Sequence, residues 1–294
     1  MSLTDQQSEA LKKIVEAIQD EDQRFITLTG YAGTGKTYLA TKIVKKIKDV
    51  LGSAYNIVLL APTHKAARVL EDKTGIQTTT IHSKLAMRPK WDGQGGYNFV
   101  KDGPSPTMDK GSSYIFVIDE ASMQQHQLHD ILENMMDRYD LHVLYIGDDA
   151  QLPPVNQNES PAFDYSVYRM TDIVRQKNTN PIIDLSMEFR QPPCDFRIIE
   201  EDVNDNGEGI YTYHKRGKFV EAALSQFDTS AYKRDSDFAA ILAYRNKTVD
   251  AYNEIIRDEV IGEDEDEFVK GEWIIAKQPF YTIKNKYTSV CAIN

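Results

Sequence analysis

Apolar positions recur at helical spacing close to the start of the chain. Leu11, Ile14, Val15 and Ile18 mark one face, and Thr4 with Gln7 three residues later forms a capping box ahead of them, which predicts an amphipathic helix. Phe25-Ile26-Thr27-Leu28-Thr29 reads as a strand that runs into a glycine-rich stretch at 30–37, after which 39–50 reads as a helix. The alternation continues with a strand at 57–60, a helix over about 64–70, a strand at 114–118, a helix over roughly 124–136 and a strand at 141–146. Strands alternating with helices predict an α/β fold, a parallel sheet with helices on both faces.

One stretch breaks that rhythm. Residues 87–112 hold five glycines, three prolines and the isolated aromatics Trp91, Tyr97 and Phe99, which fits a small hairpin insertion. After Pro154 the pattern loosens until a strand at 238–243 and a helix at 247–260 predict a second α/β unit, and the acidic run 263–267 reads as a solvated loop. A chain of 294 residues with 41% hydrophobic content suits two domains, expected at 1–160 and 161–294. No run of about 18 apolar residues occurs, and the opening MSLTDQQSEALKK lacks a signal-peptide centre, so a cytoplasmic protein without a membrane segment is expected. Cys194 and Cys291 have no C-x-x-C spacing, which argues against a zinc site or a disulfide framework.

The net charge of -11 is unfavourable for a partner made of phosphates, but its distribution changes the picture. Residues 31–100 carry 11 Lys/Arg against 4 Asp/Glu, a basic segment compatible with a nucleic-acid groove and equally with ordinary solvated helix faces.

The stretch 30–37, Gly-Tyr-Ala-Gly-Thr-Gly-Lys-Thr, fits G-x-x-x-x-G-K-[ST] in full between a predicted strand and a predicted helix. Backbone N–H groups of Gly30, Ala32, Gly33, Thr34 and Gly35 would wrap phosphate oxygens at a helix N-terminus. Lys36 would neutralise charge on the β/γ-phosphates, and the Thr37 hydroxyl would ligate magnesium. The apolar run 115–118 ends in Asp119-Glu120 at the sheet edge where ligands bind in such folds. Asp119 would hold the metal, and Glu120 would orient or deprotonate an attacking water. The turn 147–154, after another buried strand, brings Gln151 to the same edge, where a glutamine can report hydrolysis. His126 and His129 lie three apart on a predicted helix with no third ligand at suitable spacing, so an exposed helix face is expected there.

Taken in order, 30–37, Ala61-Pro62-Thr63-His64-Lys65-Ala66-Ala67, Thr80-Ile81-His82-Ser83, 117–122 and 147–155 resemble the motif series of superfamily 1 DNA helicases. The chain looks closest to their RecD/Dda-like branch, which includes phage-encoded members, over roughly 3–278. The resemblance implies an ATP- and Mg2+-dependent monomeric enzyme that moves 5′ to 3′ on single-stranded or fork DNA. It would work in the cytosol of a bacterium or a phage-infected host, beside replication or recombination proteins. Gln7 matches the glutamine that reads the adenine ring, and Pro62, Thr63, His64, Lys65, Thr80 and His82 match segments that hold the DNA backbone. Thr63 could instead cap a helix. Arg175 matches an arginine directed at the γ-phosphate, and Tyr244-Arg245-Asn246 a DNA-contacting segment of the second domain. The 87–112 insertion falls where such helicases carry a strand-splitting pin. Phe99, near its expected tip, is the candidate wedge, with Trp91 and Tyr97 as competitors.

The series also departs from its family. A T-x-H-x-x-Q-G motif and a final A-L-T-R arginine are missing, and 271–276 resembles the start of an SH3-like insertion. A C-terminally truncated member with an incomplete second domain is expected to bind nucleotide, with weak or no DNA-stimulated hydrolysis and no unwinding. Two other classes compete: a P-loop kinase, which would need a substrate lid, and a non-enzymatic DNA-binding protein switched by nucleotide.

Overall fold

The computed structural model describes residues 2–91, 97–101, 108–109, 111–136, 138–173, 180–190, 200–262, 266–270, 272–274, 280–284 and 287–291. The chain divides into two units, Met1–Asn178 and Thr179–Asn294.

In the first unit the chain order is α1 (Asp5–Ile18), β1 (Phe25–Gly30), α2 (Lys36–Leu51), β2 (Tyr55–Ala61), α3 (His64–Thr74), β3 (Thr78–Thr80), α4 (Ile81–Lys84), β4 (Met87–Trp91), β5 (Tyr97–Lys101), β6 (Ser113–Ile118), α5 (His126–Met136), β7 (Asp140–Gly147) and β8 (Ser166–Met170). Six strands form one sheet in the order β3-β2-β6-β7-β1-β8, each parallel to its neighbours. The C-terminal ends of β1, β2, β6 and β7 therefore share one edge.

Alternation along each strand builds a core on each face. Ile115 and Val117 of β6, Leu144 and Ile146 of β7, and Ile26 and Leu28 of β1 pack with Ile14 of α1 and with Leu39 and Ile43 of α2. The intervening Tyr114, Phe116 and Ile118, with Leu141, Val143 and Tyr145, meet Ile81 of α4 and Leu128 and Leu132 of α5 on the other face. Burial on both faces is why these strands read as unbroken apolar runs.

Two expectations shift here. The first unit ends at 178 instead of 160 because β8 hydrogen-bonds alongside β1 as the sheet's last strand. In the β4–β5 hairpin, Trp91 pairs with Tyr97 nearest the turn and Phe99 pairs with Pro89. Phe99 is thus two rungs below the closing described pair, so it is not at the tip.

The second unit holds α6 (Pro181–Glu188), β9 (Asp202–Val203), β10 (Gly209–Ile210), α7 (Arg216–Phe227), α8 (Ser230–Arg234), α9 (Asn246–Val260), β11 (Phe280–Lys284) and β12 (Tyr287–Cys291), with β9–β10 and β11–β12 as antiparallel pairs. The helix expected at 247–260 is α9, but the strand expected at 238–243 does not form. Ala239 is extended, yet no described strand pairs with the segment, and Leu242 is 93% exposed. A strand needs a ladder partner for its N–H and C=O groups. Arg175, Cys194 and most of the acidic run 263–267 lie outside the described residues, and the backbone of β11–β12 is what is described within 275–294. Among the described residues no helix is long and apolar enough to cross a membrane.

Candidate functional site

The loop between β1 and α2 is shaped by left-handed glycines. Gly33 and Gly35 both have φ 84°. At Gly35 a Cβ would also stand 2.6 Å from the Gln7 amide nitrogen, so close approach and backbone conformation both demand glycine. Gln7 is buried, donates through Nε2 to the Thr34 carbonyl at 3.0 Å and accepts the Thr4 N–H at 3.2 Å. It braces α1 against the loop. Lys36 Nζ donates to the carbonyls of Gly30 at 2.7 Å and Tyr31 at 3.0 Å, which hold the ammonium over the loop. Thr37 is the second residue of α2, at the helix N-terminus.

Asp119 and Glu120 follow β6 at the same edge. The Asp119 N–H donates to Leu60 in β2 at 3.0 Å, and its Oδ1 accepts the Glu120 N–H at 3.0 Å. Burial pushes the Asp119 carboxyl up to about 6, opposed by that backbone hydrogen bond and by the nearby Lys36 and Lys73 charges. Glu120 adopts φ 53°, left-handed for a non-glycine residue, and its side chain is exposed.

Residues that the sequence did not single out hold the two acidic and glutamine turns together. A Cβ on Gly147 would meet the Ala121 backbone nitrogen at 3.0 Å, so the turn after β7 packs on the turn after β6. Ser160 Oγ donates to the Ala121 carbonyl at 2.7 Å, and buried Ser122 reaches Gln151 Oε1 at 3.5 Å. Asp148 is fully buried, and its Oδ1 accepts the Ala150 N–H. No periodicity marks these small polar residues. Beside them is a cavity of about 90 Å³ lined by Asp119, Glu120, Pro62, His82 and buried Gln124.

The expected DNA-contacting residues separate into groups. Thr63, His64 and Lys65 are exposed just past the end of β2, and Thr63 caps α3 by accepting the Ala66 N–H at 3.1 Å. Thr63→Ala is expected to cost about 1 kcal/mol of stability, read from the denaturant midpoint. An unchanged midpoint would contradict the cap. Thr80 requires correction: it is 4% exposed, and its hydroxyl accepts the Ser83 N–H and donates to Ser83 Oγ at 2.8 Å, which leaves it as the cap of α4. Burial pushes His82 down to about 4, so its imidazole is neutral at physiological pH. Tyr244, Arg245 and Asn246 are exposed in the second unit. The paired-histidine helix face also changes. His126 is exposed, but His129 is buried between the Tyr145 and Tyr165 hydroxyls at 3.0 and 3.2 Å, against the Phe25 ring. Among the described residues no group of three or more His, Cys, Asp or Glu is placed to hold a metal.

Comparison with known proteins adds to this geometry. The AAA domain family matches residues 2–202, more than half of the chain. The ATP-dependent DNA helicase dda of Enterobacteria phage T4 is 30% identical over 290 residues, which covers 95% of this chain and 62% of the phage protein. The ATP-dependent RecD2 DNA helicase of Deinococcus radiodurans is 33% identical over 163 residues, covering 54% of this chain and 21% of that protein. The crystal structure of Bacteroides sp Pif1 in complex with ADP-AlF4 aligns with a TM-score of 0.46 at 19% identity, over 92% of this chain and 61% of that one. The chain thus spans less than two thirds of the length of the phage relative.

Proposed function

This chain belongs to the AAA domain family, and from its similarity to ATP-dependent DNA helicases of the RecD/Dda type we propose that it couples ATP hydrolysis to 5′ to 3′ movement along single-stranded DNA. One observation carries the reading: the P-loop, Asp119-Glu120 and Gln151 converge on one sheet edge, where Thr63, His64 and Lys65 are also exposed. Hydrolysis and DNA grip would share that edge.

The roles follow from chemistry. Phosphate oxygens would compete with the Gly30 and Tyr31 carbonyls for the Lys36 ammonium and draw it onto the β/γ-phosphates. The Thr37 hydroxyl and the Asp119 carboxylate are hard oxygen donors that suit magnesium, and a bound cation would offset the burial that keeps Asp119 protonated up to about 6. Magnesium, when bound, neutralises charge on the phosphate oxygens. Glu120 accepts a proton from the attacking water, and Gln151, touching Ser122 beside the carboxylates, senses the γ-phosphate. Gln7 reads the adenine with the donor and acceptor capacity its two present bonds leave. Arg175 supplies positive charge to the transition state.

The test is ATP hydrolysis with and without a single-stranded oligonucleotide, with Lys36→Ala as the control. Hydrolysis that requires Lys36 is expected, with at most weak stimulation by DNA. Phosphoryl transfer to a small acceptor, unaffected by DNA, would sink the reading.

A further inference from the structure

The chain leaving β8 runs beside the P-loop, and a residue of α1 holds it there. The Tyr31 N–H donates to the Met170 carbonyl at 3.2 Å, and a Cβ on Gly30 would meet Met170 at 3.0 Å. The next two residues are gripped by Gln6. Its Oε1 accepts the N–H groups of Thr171 and Asp172, both at 2.9 Å, and its Nε2 donates to Thr171 Oγ1 at 3.1 Å. One amide thus fixes a backbone segment 165 residues further along the chain.

Gln7, its neighbour in the first turn of α1, holds the P-loop through Thr34. Two adjacent glutamines on one rigid helix turn therefore grip the nucleotide loop and the segment that follows the sheet. Arg175 comes three residues after Asp172 in the sequence, outside the described residues.

We propose that Gln6 is a positioning residue that couples occupancy of the base-reading end of the nucleotide site to the segment leading to Arg175. The proposal rests on the nucleotide-binding reading above. A glutamine can serve both backbone donors with one oxygen, so removing that oxygen frees two N–H groups at once. Because the segment is exposed, water can take over both groups, and the fold loses little.

The experiment is hydrogen exchange at the amides of Thr171 and Asp172 in wild type, Gln6→Leu and Gln6→Glu, with magnesium and either a non-hydrolysable ATP analogue or tripolyphosphate. In wild type the ATP analogue is expected to slow exchange at both amides by about tenfold, the factor one strengthened hydrogen bond supports. Tripolyphosphate, which has no base, is expected to protect the P-loop amides alone. Gln6→Leu should lose the response at 171–172 and keep it in the P-loop. Gln6→Glu, which retains acceptor oxygens, should restore it, and this separates positioning from a general loosening of α1. If the P-loop responds but 171–172 do not, or respond equally to tripolyphosphate or in Gln6→Leu, the coupling is refuted and nucleotide binding stands. If the P-loop amides also ignore the ATP analogue, the nucleotide reading fails and the coupling fails with it.

Discussion

Glu120→Gln is expected to lower ATP turnover by about three orders of magnitude while changing nucleotide affinity no more than about threefold, since a positioned general base contributes 10²–10⁴. The two side chains have the same shape, and position 120 is exposed, so the exchange disturbs no packing. What changes is that an amide cannot accept the proton released as water attacks. The backbone supports the assignment. Glu120 sits at φ 53°, a conformation that costs a non-glycine residue about 1–2 kcal/mol, and its N–H is fixed on Asp119 Oδ1. Strain held at the sheet edge, next to the half-buried Asp119 carboxylate, is expected of a residue whose side chain must be aimed. Single-turnover hydrolysis beside equilibrium binding separates the two effects. Turnover within tenfold of wild type would remove Glu120 from the chemistry and leave the attacking water to another group.

The parts of this fold that were legible in the sequence are those built by short-range pattern. The runs at 57–60, 114–118 and 141–146 became β2, β6 and β7 because strands buried on both faces must be apolar throughout. The P-loop was legible because its glycines are dictated by local φ and by the approach of Gln7, both tied to a fixed spacing. Pairing between distant segments was not legible. Ser166–Met170 has few residues and no flanking turn signature, and it is a strand only because β1 offers a ladder. The apolar run at 238–243 has the opposite problem: its length and apolar character suggest a strand, but three of its residues are alanines and no described neighbour completes one. Thr80 was misread because a hydroxyl at a helix start serves a cap or a phosphate equally well until burial decides. His129 was misread because helical spacing to His126 says nothing of which face the sheet covers, and Tyr145 and Tyr165 take both its ring nitrogens. Gln6 carried no signal at all, since its partners are backbone atoms 165 and 166 residues away.

In metal-free buffer at pH 7.5, Asp119→Asn is expected to unfold at higher temperature than the wild type, although it should lose magnesium-dependent turnover. The sign follows from burial. Asp119 titrates at about 6 in the fold against an ordinary value of 3.8, so the folded chain binds its proton more readily than the unfolded chain does. Ionised Asp119 therefore destabilises the fold fully above pH 6, by at most about 3 kcal/mol. That penalty shrinks as pH falls from 6 towards 3.8 and is absent below it. Asparagine has no charge to desolvate, and its Oδ1 can still accept the Glu120 N–H, so the substitution removes the penalty and keeps the hydrogen bond. The stabilisation should be largest at neutral pH and vanish near pH 4. Magnesium should reverse the order, because a cation that binds only the native carboxylate raises wild-type stability by mass action and gives the asparagine variant little. Thermal unfolding of both proteins at pH 4 and 7.5, with and without magnesium, gives the full set of comparisons. An asparagine variant less stable than wild type at pH 7.5 without metal would mean that Asp119 is already compensated by Lys36 and Lys73. The carboxylate would then be held ionised by the protein itself, and no stability would be given up to keep it ready for a cation.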